Sequence, residues 1–207
     1  MRQYYEGSYA NIHRGVYEAS ERASMAYDGT RETVARFLGG VSPDEVIFLR
    51  GTTEAINLVA QAYLRPTLGE GDTVLVTEME HHANIVAWQV AGARTVAIPI
   101  TDAGEIDLEA AERMLAAGPR LLAVCHASNA LGTINPIAEL AAMARRHGVP
   151  VLVDGAQGAV HLPRDLPSLR VDFYCFSCHK LFGPTGGGGL GGRGERPAPP
   201  AFEAGAM

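Results

Sequence analysis

Of seventeen basic side chains in this 207-residue sequence, one is a lysine. It stands in Ser177-Cys178-His179-Lys180-Leu181-Phe182-Gly183-Pro184-Thr185-Gly186, directly after the apolar run Phe173–Phe176. Arginine meets nearly every structural demand for positive charge, but its guanidinium stays protonated in a protein. Lysine can lose its proton to its surroundings, and a neutral amine is what attacks a carbonyl to form a Schiff base. An Arg-favouring codon bias would also leave a single lysine. The chemistry of Lys180 therefore has to be judged from its company.

That company is polar and falls at the ends of apolar runs. Gly51-Thr52-Thr53 lies between a strand-like segment and a helix start. Free backbone N–H groups, two hydroxyls and a helix dipole suit a phosphate there, and an ordinary N-cap uses the same residues. Asp154 ends Val149-Pro150-Val151-Leu152-Val153. A carboxylate after such a run is partly desolvated and needs a partner, either a protonated ring nitrogen or a backbone amide. Gln157 follows three residues on, and a helical turn would point it the same way. Glu80-His81-His82-Ala83-Asn84 places two histidines side by side, with no histidine at i+4 and no cysteines nearby. Stacking of an imidazole on a flat ligand, or a surface pair, fits this better than a metal. Ser128-Asn129 follows another apolar run and is a weak signal alone. Cys175 and Cys178 have CxxC spacing, but positions i and i+3 of a strand face opposite sides, so they read as incidental thiols.

The elements that must position these groups alternate. Helices are predicted over 16–38 (stopped by Gly39-Gly40), 53–63, 85–90, 108–117 and 137–147. Strands are predicted over 45–49, 73–76, 95–100, 121–125, 149–153 and 171–176. This alternation argues for an α/β fold with a mostly parallel sheet covered on both faces. Ligands of such sheets bind beyond the carboxyl ends of the strands, where the polar groups above collect. The stretch from Arg193 to Pro200 is rich in Pro, Gly and charge and should be irregular, and the glycines 186–189 should loosen the strand that follows them. Residues 1–192 are expected to form one domain and 193–207 an irregular tail, leaving the sheet looking unfinished.

A formal charge of −6 gives no basic face for nucleic acid. No apolar run approaches the roughly 20 residues of a membrane-spanning helix. The polar N-terminus is not a secretory signal, and three cysteines (Cys125, Cys175, Cys178) do not make a disulfide framework. A reducing, cytoplasmic setting is expected.

Taken together, six ordered blocks resemble the class V aminotransferase-fold family of pyridoxal-phosphate enzymes, and within it the group II (SUF-type) cysteine desulfurases and selenocysteine lyases. The blocks run from Tyr9 to Gly15, Arg50 to Asn57, Glu78 to Val86, Ser128 to Thr133, Val153 to Gln157 and Phe176 to Gly186. The resemblance implies the large cofactor domain of a fold-type I enzyme. It implies that Lys180 binds pyridoxal 5'-phosphate covalently and that Asp154 pairs with the pyridinium nitrogen. It further implies that Gln157 bonds the ring hydroxyl oxygen and that His81 stacks on the ring. Thr52, Thr53, Ser177 and His179 would bind the phosphate, and Asn129 would lie near the substrate carboxylate. The implied activity converts L-cysteine to L-alanine and passes sulfur to an enzyme cysteine, then to a sulfur-acceptor protein for iron–sulfur cluster assembly. A homodimer is implied as well. Selenocysteine lyase, epimerase or transaminase chemistry, or a non-catalytic remnant, are the alternatives.

Two departures from the pattern carry expectations. The family's persulfide cysteine and carboxylate-clamping arginine lie well beyond the lysine, whereas this sequence closes at Met207. None of the three cysteines matches that position, so an incomplete chain is expected. Cys178 stands where the family usually has glycine, which would cost strain if that position needed positive φ.

Overall fold

The computed structural model describes residues 2–13, 15–163 and 165–192. Seven strands form one sheet: β1 (Val46–Leu49), β2 (Thr73–Thr77), β3 (Arg94–Ile98), β4 (Leu121–Cys125), β5 (Val151–Asp154), β6 (Phe173–Ser177) and β7 (Gly188–Gly192). Their order is β1-β7-β6-β5-β4-β2-β3, with β6, β5, β4, β2 and β3 parallel and β7 antiparallel to both its neighbours. The central strands β4, β5 and β6 are buried along their whole length, which is why they read as unbroken apolar runs rather than as alternation.

Helices cover both faces. One face carries α3 (Thr52–Leu58), its π-helical continuation Val59–Leu64, and α4 (Ala83–Ala91), packed through Ile56, Val59 and Trp88. On the other lie α2 (Glu18–Phe37), α5 (Leu108–Ala116), α6 (Ile137–Arg146) and the short turn α8 (Leu166–Leu169). In α6 the buried residues are Ile137, Leu140, Ala141 and Ala144, one stripe at helical spacing. Asp107 caps α5 by accepting from the Ala110 N–H at 2.9 Å. Gly39 and Gly40 end α2 in positive φ, as expected of them, with the Gly40 N–H donating to the Ala35 carbonyl. Short helical turns also occur at α1 (Arg2–Gly7) and α7 (Gly158–His161).

The glycine-rich stretch forms a strand, Gly188–Gly192, lying between β1 and β6 and hydrogen-bonded to both. Composition hides it, since four glycines and one leucine give no periodicity. Close approach explains the glycines. A Cβ on Gly188 would fall 2.5 Å from the Gly51 Cα and 2.6 Å from the Phe176 carbonyl oxygen, both backbone atoms. The tail, residues 193–207, lies outside the described residues.

Gly188→Ala is therefore expected to destabilise the protein by roughly 1–3 kcal/mol in urea unfolding, the usual cost of overpacking. Gly192→Ala, whose Cβ would meet nothing nearer than 3.4 Å, should be clearly milder.

Candidate active site

The polar groups singled out in the sequence lie at one edge of the sheet because the parallel strands deliver them there. Register pairs Cys125 with Asp154 and Asp154 with Cys175, so β4, β5 and β6 end side by side. Ser177 closes β6 opposite Gly188, and Gly188 also faces Leu49 at the end of β1. The chain then passes from β6 into a 3-10 turn, Cys178–Leu181, that carries His179 and Lys180.

At the β1–β6 side a small cradle forms. Thr52, the first residue of α3, donates its backbone N–H to the Ser177 Oγ at 2.8 Å, and its own hydroxyl lies 2.8 Å from the same oxygen. Both side chains are buried. The contact joins residues 125 apart in sequence, so it pins α3 to the end of β6. A Cβ on Gly51 would lie 3.2 Å from the Ser177 Oγ, which keeps the cradle floor bare. Thr53 and His179 flank it and are exposed. Two hydroxyls gathered at a helix start suit an anion such as a phosphate.

Asp154 is the deepest charged group, 6% exposed. Its Oδ1 accepts from the Ala156 N–H at 2.9 Å. Burial pushes its pKa up, against the opposing pull of that N–H and of the fields of His81 and Lys180. A desolvated carboxylate aimed at this edge is costly unless a cation or donor faces it. Gln157 caps the short turn α7, so the helical turn anticipated after Asp154 exists, and its side chain is half-buried. Asn129 is exposed on the loop after β4.

The two histidine rings lie against each other. Adjacent residues usually diverge, yet the His81 and His82 rings lie 4.2 Å apart, tilted by 36°. The tight turn His81–Asn84 causes this: the Asn84 N–H donates to the His81 carbonyl at 2.8 Å, and the Ala83 N–H to the His81 Nδ1 at 3.2 Å. Cys175 and Cys178 do face opposite sides, packing against different cores. Burial raises the pKa of Cys125, Cys175 and Cys178. Cys178 is not strained. Positive φ falls instead on Phe182, at 61°, and on Gly186, while the Cys178 N–H donates to the Gly187 carbonyl.

Glu80 is a site residue that sequence reasoning missed. Its Oε1 accepts from the Thr77 hydroxyl at 2.7 Å and the Cys125 N–H at 2.9 Å, and its Oε2 from the Asn84 amide at 2.7 Å. Burial, with Asp154 adding to it, still pushes its pKa to about 7. The only hint in the sequence is the spacing of Thr77 and Asn84 around it, three and four residues away.

Fold and site together define a large domain of the fold-type I class, the architecture of pyridoxal-phosphate-dependent enzymes. The chain belongs to the class-V aminotransferase family, which it matches over residues 1–207. It is 47% identical over 197 residues to a cysteine desulfurase of Klebsiella pneumoniae, covering 93% of this chain and 48% of that protein. A probable cysteine desulfurase of Halalkalibacterium halodurans is 46% identical over 194 residues, covering 92% of this chain and 48% of the relative. The apo structure of a cysteine desulfurase from Thermococcus onnurineus superposes with a TM-score of 0.88 at 38% identity, over 94% of this chain and 49% of that one. The chain thus spans about half the length of these relatives. No helix among the described residues is long and apolar enough to cross a membrane.

A pH signature follows from Glu80. Its folded-state pKa, about 7, lies above the ordinary 4.5, so the folded protein holds an extra proton between these values. The stability this proton brings is complete below pH 4.5 and is lost as pH rises through 7. Denaturant unfolding should show this decline, and Glu80→Gln should flatten it by up to roughly 3 kcal/mol.

Proposed function

We propose that this chain is the cofactor-holding half of a pyridoxal-phosphate-dependent cysteine desulfurase acting on L-cysteine in the cytoplasm. The observation that carries the reading is a buried Asp154 at the end of β5, with the sole lysine, Lys180, in the turn that follows neighbouring β6, beside a hydroxyl cradle at the end of β6. A Cβ at Gly51 would crowd the Ser177 Oγ, so the cradle is open where a phosphate would approach, and the desolvated Asp154 carboxylate suits a protonated ring nitrogen; the residues present fit the cofactor.

Thr52, Thr53, Ser177 and His179 would hold the phosphate, and Asp154 the ring nitrogen in its protonated form. Gln157 would donate to the ring hydroxyl oxygen and His81 would cover one ring face. When bound, pyridoxal phosphate supplies an electron-poor ring that draws electrons from the substrate Cα. Lys180 Nζ would hold the cofactor covalently and would serve as the base for the substrate Cα proton. Asn129 would lie near the substrate carboxylate.

Sulfur leaves the substrate by attack of a thiolate, with alanine as the other product. Cys125 and Cys175 are buried, Cys178 is half-buried, and all three thiols are shifted away from ionisation. None suits that attack. The accepting thiol therefore comes from outside these three residues, and passes its sulfur to an acceptor protein. L-cysteine as substrate is supported by the names of the relatives and by a solved relative, 26% identical with a TM-score of 0.86, described in complex with cysteine. Pairing of two copies is supported by apolar side chains left in the open, among them Val16, Met25 and Phe182.

The single lysine makes the test direct. The chain is incubated with pyridoxal phosphate, reduced with borohydride and mapped by mass spectrometry. Near-stoichiometric label on Lys180 is expected, lost when the chain is denatured first and absent in Lys180→Arg. Label confined to the α-amino group, or none, contradicts the reading.

A further inference from the structure

Glu80 stands where two turns meet. The first closes β2, with the Glu80 N–H donating to the Thr77 carbonyl, and the second is the His81–Asn84 turn that opens α4. The Glu80 carboxylate binds both through the Thr77 hydroxyl and the Asn84 amide, and it binds β4 through the Cys125 N–H. Three elements are thus joined through one side chain, adjacent in sequence to His81. Cys125 is in turn the register partner of Asp154. The titratable groups facing the carboxylate from the packed strands are Asp154 of β5 and the Cys125 thiol of β4.

We propose that Glu80 is a positioning residue: its carboxylate clamps the turn carrying His81 to the end of β4, and so fixes the His81 ring at the height and angle at which it covers the cofactor ring above Asp154. The inference rests on the cofactor reading given above and assigns it a residue that touches no cofactor itself. Geometry rather than charge does the holding. The Asn84 Oδ1 is buried and has no hydrogen-bond partner among the described residues. A half-turn of the Asn84 amide would present that oxygen to a donor at Glu80. A glutamine at position 80 can supply the donor while its own oxygen keeps the Thr77 and Cys125 bonds. An alanine can do neither, and it strands the Cys125 N–H.

The test compares Glu80→Ala with Glu80→Gln in the full chain. Pyridoxal phosphate affinity is measured by visible absorbance, ring orientation by the visible circular dichroism of the bound cofactor, and the clamp by hydrogen exchange of the Cys125 amide without cofactor. Glu80→Ala should weaken affinity by about tenfold, as loss of supporting-shell partners does at ligand sites. It should also shrink the dichroism band and speed Cys125 exchange, whereas Glu80→Gln should recover most of all three. Thr77→Val removes one clamp bond without stranding a backbone group, and should shift the same readouts in the same direction if the alanine variant does not fold. Native affinity and dichroism in Glu80→Ala, or in Thr77→Val where that stands in, would overturn the proposal. So would a glutamine variant as impaired as alanine, which would assign the role to charge. Failure of the unaltered chain to bind pyridoxal phosphate overturns the cofactor reading and the ring-positioning role built on it, while Cys125 exchange still reports whether the clamp exists.

Discussion

A carboxylate buried at the end of the middle strand governs the rest of this structure. Asp154 is delivered by a run of apolar residues that helices cover on both faces of the sheet, so its backbone is held by the core. The same burial makes its charge expensive, and the Ala156 N–H with the fields of His81 and Lys180 offsets this only in part. In cofactor-dependent catalysis that expense becomes useful. In the proposed function a protonated ring nitrogen facing Asp154 would offset that cost, and the low-polarity surroundings would strengthen the pair.

The remaining site groups are arranged around that fixed point by backbone approach rather than by long side chains. β7 runs antiparallel between β1 and β6, and its glycines let the Gly51 turn sit against the end of β6. The Thr52–Ser177 contact then fixes where α3 begins relative to the turn bearing Lys180. On the opposite side, Glu80 does for His81 what Gly188 does for Thr52. Both tie a site-bearing turn to a neighbouring strand end.

How much of this the sequence discloses depends on which interaction shapes each part. Strands β4, β5 and β6 are plain in the sequence because burial on both faces demands unbroken apolar runs. Helices α5 and α6 are plain because burial on one face demands a stripe. Lys180, Asp154 and the Gly51-Thr52-Thr53 turn stand out because their chemistry contrasts with the runs before them. β7 is hidden because its strand character comes from neighbours' hydrogen bonds, not from its own side chains. Glu80 is hidden because its partners are a backbone N–H 45 residues away and two polar side chains that would otherwise pass as surface. The π-helical turn after α3 gives no periodic signal distinct from an ordinary helix, so the sequence reads it as one.

Thermal unfolding of Asp154→Asn, with and without pyridoxal phosphate, tests the central role of the buried carboxylate most directly. Asparagine keeps the acceptor for the Ala156 N–H and removes the charge. A cofactor-free variant at least as stable as the native chain, with the cofactor-induced rise in Tm abolished, is the predicted result. A variant destabilised without cofactor yet still raised fully by it would contradict the assignment, because the charge would then serve the fold and not the ligand.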